Sequence, residues 1–318
     1  MIDKRTASFL GMAFAFSWGV CFLGIALGIT AASGTRYMLV AGASMFGPAL
    51  AALVQARLIE RQPWSALGAQ GRPLPVGMLL RTALLGVCIV PAILMVNAVG
   101  HAVLPSAGFS VVAMGTEQLL VRLTELSELL GRGAPSASSV EKLKAIPPMV
   151  LLAGALVSSV FAACTINLPF MLGEELGWRG YLFHRLRERS GLQRVLFTGP
   201  VWGLWHAPLI AVGHNYPGYP VAGIGAMMVF CTALALLFDW TRFRSGSIWS
   251  SGLLHGIING SAGVLALFLG GGHILVGSPA GLSGVLAGLL LGAVILTLDG
   301  TYRRAFLAQP MASTATRT

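Results

Sequence analysis

Long apolar runs broken by short polar stretches organise this chain. Windows of about 20 apolar residues match a bilayer core, and eight can be marked, at 7–30, 37–56, 77–104, 148–187, 194–213, 220–241, 248–270 and 281–300. They predict an all-α, polytopic membrane protein: one bundle of eight transmembrane helices over 1–308, followed by a small polar tail, 309–318, expected to be disordered. The fourth run is overlong, so its last part is expected to continue into the cytoplasm, and Pro169 within it is expected to bend the helix. The loop 105–147 carries Leu119, Leu123, Leu126 and Leu130 at helical spacing, with Glu117, Arg122, Glu125 and Glu128 between them. That pattern predicts an amphipathic helix lying on the membrane or capping the bundle, with Gly133 to Ser139 as a flexible connector. Gly284, Gly288 and Gly292 make a repeated GxxxG face for close helix packing. No internal repeat is visible.

Composition agrees with this pattern. Of 318 residues 55% are hydrophobic and only 10% charged, against about 25% charged in soluble domains, and mean hydropathy is +0.78. The formal charge of +10 does not mark a nucleic-acid partner, because the arginines cluster in short loops beside apolar runs. With both termini in the cytoplasm, Lys4, Arg5, Arg57, Arg61, Arg72, Arg81, Arg185 to Arg194, Arg242, Arg244, Arg303, Arg304 and Arg317 fall inside; only Arg36, Arg122, Arg132, Lys142 and Lys144 fall outside. The stretch after Lys4 and Arg5 is too long for a signal peptide and reads as an uncleaved first helix. Cys21, Cys88, Cys164 and Cys231 are scattered singly and read as small buried apolar residues.

The polar interruptions carry the chemistry. Glu174 and Glu175 follow about 25 mostly apolar residues, and Arg179 comes one turn later. His206 sits inside the next apolar run, and His255 with Asn259 inside a later one. Polar groups at mid-membrane cost about 2.5–3.5 kcal/mol on insertion scales and usually face a protein interior or a wet cavity. Glu175 and Arg179, four apart, are able to pair; Glu174, turned about 100° away, is left for a cavity. Counted from the helix ends near 187, 194 and 247, Glu174, His206 and His255 lie about 20, 18 and 12 Å deep. One shared layer is expected, in a cavity opening toward the cytoplasm.

Two hydrolytic schemes fit one carboxylate and two imidazoles. Glu174 and His206 deprotonate a water that attacks a peptide carbonyl, while His255 and Asn259 stabilise the oxyanion; or Glu174, His206 and His255 ligate a zinc ion whose water is the nucleophile. No HExxH and no GxSG occurs, and Asp3, Asp239 and Asp299 lie outside the deep parts of the spans.

Glu174-Glu175-x-x-x-Arg179, then His206 in Trp202-Gly-Leu-Trp-His206-Ala-Pro208, then His255-x-x-x-Asn259, resembles the three motifs of the CAAX-protease and bacteriocin-processing family, the type II CAAX prenyl endopeptidases. The resemblance is close over about 148–270, the expected catalytic core, and departs at Trp202, where the family usually has Phe. It implies an intramembrane endopeptidase acting on a membrane-associated protein or peptide. It casts Glu174 as water-activating base, His206 as its partner and His255 and Asn259 as oxyanion groups. Glu175 and Arg179 become organisers, Trp202 a packing aromatic. The implied mechanism requires no cofactor, with zinc as the alternative; membrane lipid is the surrounding partner.

Rival readings accompany each feature. A catalytically silent family member would act as a membrane binding, regulatory or peptide-immunity protein. A proton-coupled transporter also uses intramembrane Glu and His. Locally, Glu175–Arg179 reads equally as a helix-tying ion pair, and His255–Asn259 as an interhelical clamp. His101, His184, His214 and His273 read as interfacial, as do Tyr216, Tyr219, Trp240 and Trp249. Arg185 to Arg194 reads as a positive-inside anchor.

Overall fold

The computed structural model describes residues 3–69, 76–129, 131 and 133–308. Arg72, Leu130, Arg132, Arg317 and the tail 309–318 lie outside the described residues. The chain is helical almost throughout: α1 Lys4–Ala26, α2 Thr35–Ser44, α3 Gly47–Ala52, α4 Val76–Val103, α5 Thr116–Leu129, α6 Ala137–Ala145, α7 Pro148–Cys164, α8 Leu168–Glu175, α9 Phe183–Arg185, α10 Gly191–Trp205, α11 Ala207–Ala211, α12 Pro220–Ser245, α13 Ile248–Gly260, α14 Ala262–Phe268, α15 Ile274–Gly277, α16 Leu282–Leu298 and α17 Gly300–Leu307. Wide π turns continue α3 at Leu53–Ile59 and α8 at Leu176–Leu182. Val111–Val112 and Leu269–Gly270 pair antiparallel.

This is a multi-pass membrane protein, but the count of eight spans is not reached. Among the described residues six stretches are long and apolar enough to cross a bilayer, and up to seven if α6 and α7, bent by 101°, count as one. The expected fourth and fifth spans are the ones that break up. The fourth divides at Thr165–Asn167, where Asn167 Nδ2 donates to the Gly256 carbonyl (3.1 Å). Pro169, at the start of α8 rather than inside a helix, has no N–H to leave unpaired. The fifth divides at His206, with Pro208 opening α11. Hydropathy averages over such breaks, which is why the sequence reads them as continuous.

Several expectations hold in detail. α5 caps the bundle: Leu119 is fully buried, and Arg122 donates to the Ala266 carbonyl at the end of α14 (2.9 Å). Gly284, Gly288 and Gly292 face α12, against Phe230, Ala233 and Leu236. Others change. The last part of the Gly133–Ser139 connector is the first turn of α6, capped by Ser136 Oγ on Ser139 N. Cys21 and Cys231 are buried, but Cys164 is exposed. Tyr216 is no interface anchor: it is fully buried, with its hydroxyl on the Ala280 carbonyl (2.7 Å). Within the arginine run, Arg194 is buried in a bidentate pair with Asp239 (2.7 and 2.8 Å), which Tyr302 also contacts (2.9 Å).

α1, about 35 Å long by its residue count, marks the two faces of the bundle. At its start Asp3 meets Arg185 (3.0 Å). Burial raises the Asp3 carboxyl, but the Thr6 N–H, Arg185 and the Thr6 hydroxyl outweigh it and bring it down to about 2. That contact therefore contributes its full stability above the ordinary carboxyl value of 3.8 and loses it as pH falls through about 2. Just past the other end of α1, Ala31 N donates to the Val212 carbonyl (3.0 Å).

α10 and α12 meet backbone to backbone. A Cβ on Gly199 would lie 2.4 Å from Thr232 Cα, and one on Gly203 2.3 Å from Met228 Cα. These two glycines bring the backbones together on either side of Trp202. Gly203→Val is expected to destabilise the protein by about 1–3 kcal/mol or more through overpacking. Gly11→Ala, which meets nothing within 4 Å, is expected to be neutral or slightly stabilising. Thermal unfolding in a fixed lipid or detergent checks both.

Candidate active site

The glutamate pair reaches its position because small residues let α8 and the π turn after it lie against the start of α3 and the residues just before it. A Cβ on Gly173 would stand 2.9 Å from the Met45 carbonyl oxygen, and one on Gly177 2.7 Å from that of Pro48. α13 is held equally close, since a Cβ on Gly256 would stand 2.8 Å from Ala163 Cα in α7. The two carboxylates then face different surroundings, as their angular separation predicts.

Glu175 is fully buried and closed. Its Oε1 accepts from Arg179 Nη1 (2.9 Å) and from His255 Nδ1 (2.9 Å). The Arg179 guanidinium lies between two aromatic faces, 4.1 Å from the ring centroids of both Trp202 and Phe238, a geometry that favours a desolvated cation. His255 packs edge-to-face on the same two rings, at 5.5 Å from each. The sequence foresees the Glu175–Arg179 pair but not the attachment of His255 to Glu175.

Glu174 faces the other way. One oxygen accepts the indole N–H of Trp202 (2.8 Å), a bond that Phe at this position could not make. The carboxylate lines a cavity of about 290 Å³ together with Trp202, His206, His255 and Asn259. His206 Nδ1 is bonded to the Trp202 carbonyl (2.8 Å). A carbonyl only accepts, so the hydrogen sits on Nδ1 and Nε2 is left with its lone pair. Asn259 is exposed, and its amide makes only a weak contact to Met171 Sδ (3.4 Å). All the sequence-derived residues thus gather around one hollow: Glu174, His206, His255, Asn259 and Trp202 on its wall, Glu175 and Arg179 directly behind. The zinc donor set Glu174, His206 and His255 shares the wall. Among the described residues no three His, Cys, Asp or Glu side chains cluster as a metal site.

The cavity departs from expectation in two respects. It also takes in His214, Asn215 and Cys231, of which His214 was expected at the interface. No spacing signal marks it, because the turn after α11 folds back over the site. The direction also differs. The exposed lining residues Asn215, Asn259 and Ala262 lie toward the face where Ala31 meets Val212, away from Arg185. The arginine-bearing face is shut by Arg242 Nε on the Arg179 carbonyl (2.8 Å), Ser247 Oγ on the Gly68 carbonyl (3.2 Å), and Trp178 edge-on to Phe9 and Trp205.

Chemically, a carboxylate and a bare imidazole nitrogen share one hollow, with further hydrogen-bonding groups on a third helix. A carboxylate is able to serve as a base, an imidazole as its partner, and hydrogen-bond donors to receive developing negative charge. Residues 147–261, which carry every one of these side chains, match the family model for type II CAAX prenyl endopeptidase Rce1-like proteins. A stretch of 44 residues is also 53% identical to CAAX prenyl protease 2 of Methanococcus maripaludis, covering 14% of this chain and 16% of that relative's length. The matched segment spans the broken helices α7 to α11 together with α12 and α13.

Trp202 is the hub of the matched segment, and its substitution separates its two roles. Trp202→Phe keeps the ring against Arg179 and His255 but removes the donor to Glu174. Because that carboxylate can take water from the cavity, a cost of about 1 kcal/mol is expected. Trp202→Ala also empties the core position, and about 3–5 kcal/mol is expected. Unfolding measurements on the two variants check the difference.

Proposed function

We propose that this chain is an integral-membrane endopeptidase in which Glu174 and His206 activate water. The observation that carries the reading is the division between the carboxylates: Glu175 is tied to Arg179 and His255, and Glu174 is open to the cavity. Glu174 accepts a proton from water, and Nε2 of His206 holds that water in place. The hydroxide oxygen attacks the peptide carbonyl carbon. Negative charge gathers on the carbonyl oxygen, where the Asn259 amide donates a hydrogen bond and His255, with Nδ1–H on Glu175, donates from Nε2 in its doubly protonated form. As the C–N bond breaks, the proton held by Glu174 passes to the leaving nitrogen. Glu175 fixes the His255 ring, and Arg179 keeps Glu175 from turning toward the water.

The family and the name of the matched relative support a peptide substrate, in particular a membrane-anchored, prenylated chain with a C-terminal CAAX sequence. The test substrate is a fluorogenic peptide carrying a farnesylated cysteine at the CAAX position, with an unprenylated copy beside it. Glu174→Gln and His206→Ala are each expected to lower cleavage by about a hundredfold or more, while insertion and unfolding temperature stay close to those of the parent. Cleavage of the farnesylated peptide at the parental rate by purified Glu174→Gln protein would falsify the assignment.

A further inference from the structure

Away from the catalytic cavity, a second hollow of about 610 Å³ runs between α4, α12 and α16, closed at one end by the start of α17. Its length is apolar: Leu85 and Cys88 come from α4, Leu291 and Ile295 from α16. Its rim is apolar and outward-facing, with Leu84 63%, Val294 45% and Leu298 81% exposed. On helices long and apolar enough to span a bilayer, such side chains face hydrocarbon rather than water.

One end is different. Arg81 and Arg244 both enter the hollow there, beside Trp240 and Asp299. Asp299 is engaged on three sides: it accepts from Trp240 Nε1 (3.0 Å) and from Tyr302 N (2.9 Å) and forms an ion pair with Arg244 Nε (3.1 Å). It therefore orients the Arg244 guanidinium through one nitrogen and leaves the two terminal nitrogens without a partner among the described residues. Arg81 has no hydrogen-bond or ion-pair partner among the described residues either. Two guanidiniums against one carboxylate leave the polar end cationic. This end lies on the arginine-bearing face, since Phe306 of α17 packs on Gly191 at the start of α10, next to Arg189.

We propose that this groove is a binding site for an anionic phospholipid of that leaflet. The phosphate sits between Arg81 and Arg244, and one acyl chain lies along Leu85, Cys88, Leu291 and Ile295. The charge is confined to one end and the apolar wall continues into the membrane, so the occupant must itself be charged at one end and oily along its length. Guanidiniums match phosphate oxygens in geometry as well as charge, and basic residues at a membrane surface favour anionic lipids. The site is independent of the proposed hydrolysis, because none of its residues lines the catalytic cavity.

The test is native mass spectrometry of the purified full-length protein with equimolar phosphatidylglycerol and phosphatidylcholine of identical chains. The parent is expected to retain phosphatidylglycerol selectively. Arg81→Gln, an exposed and unpaired position where folding is not at risk, is expected to lose several-fold of that preference, and Arg81→Gln with Arg244→Gln about tenfold or more. Ile295→Trp, which fills the floor, is expected to reduce retention with all charges intact. Arg187→Gln with Arg189→Gln removes the same charge from the same face outside the groove and is expected to leave the preference unchanged. Equal losses in the two double variants, no preference in the parent, or displacement of the lipid by soluble glycerol phosphate would each overturn the proposal.

Discussion

The buried carboxylate of Glu175, held between Arg179 and His255, is the interaction on which the site depends. An ion pair taken out of water is strongly destabilising when one partner is removed, because the other charge is left uncompensated. The surroundings of this pair are built to meet that cost. Two aromatic faces cover the guanidinium, and an imidazole takes up part of the carboxylate's remaining capacity. What the pair achieves is a distinction between neighbours. Two adjacent glutamates with the same chemistry become one structural group and one group open to a cavity, and the buried cation Arg179 faces the structural one.

Trp202 turns that local distinction into a three-helix arrangement. Its ring covers Arg179 and His255, its indole N–H meets Glu174, and its carbonyl fixes the His206 ring. It is placed by Gly199 and Gly203, which let α10 approach α12 to backbone contact. The helix breaks serve the same end. A straight α10 would carry its backbone on past His206, whereas the turn to α11 and the loop beyond it bring His214 and Asn215 back over the cavity. The break at Thr165–Asn167 lets α8 start afresh against α3 and α13 and deliver Glu174 at its last turn.

Much of this was legible in the sequence, for physical reasons. Polar residues inside apolar runs are costly enough that their presence points to a shared site, and helical spacing paired Glu175 with Arg179 and separated Glu174. What escaped depends on contacts between distant stretches. The bond from His255 to Glu175 has no local signature. Glu60, whose Oε1 accepts from Tyr181 (2.5 Å) beside the π turn, gave no signal in its polar loop. The GxxxG face at 284–292 was visible, but the equally close Gly199–Gly203 contact was hidden inside the motif region. Hydropathy counts the two broken segments as whole spans because it averages over the breaks, three residues at Thr165–Asn167 and one at His206. The direction of the cavity was inferred from depth alone, and depth does not reveal which face the packed aromatic residues close.

The most direct measurement is a pair of double-mutant cycles on unfolding free energy, one between Glu175→Gln and Arg179→Gln and one between Glu174→Gln and Arg179→Gln. Direct partners couple within about 0.5–3 kcal/mol. The result expected is a coupling in the upper half of that range for Glu175 and below about 0.5 kcal/mol for Glu174. Equal couplings, or a larger one for Glu174, would mean that the arginine serves the cavity carboxylate and would contradict the division of roles between the two glutamates.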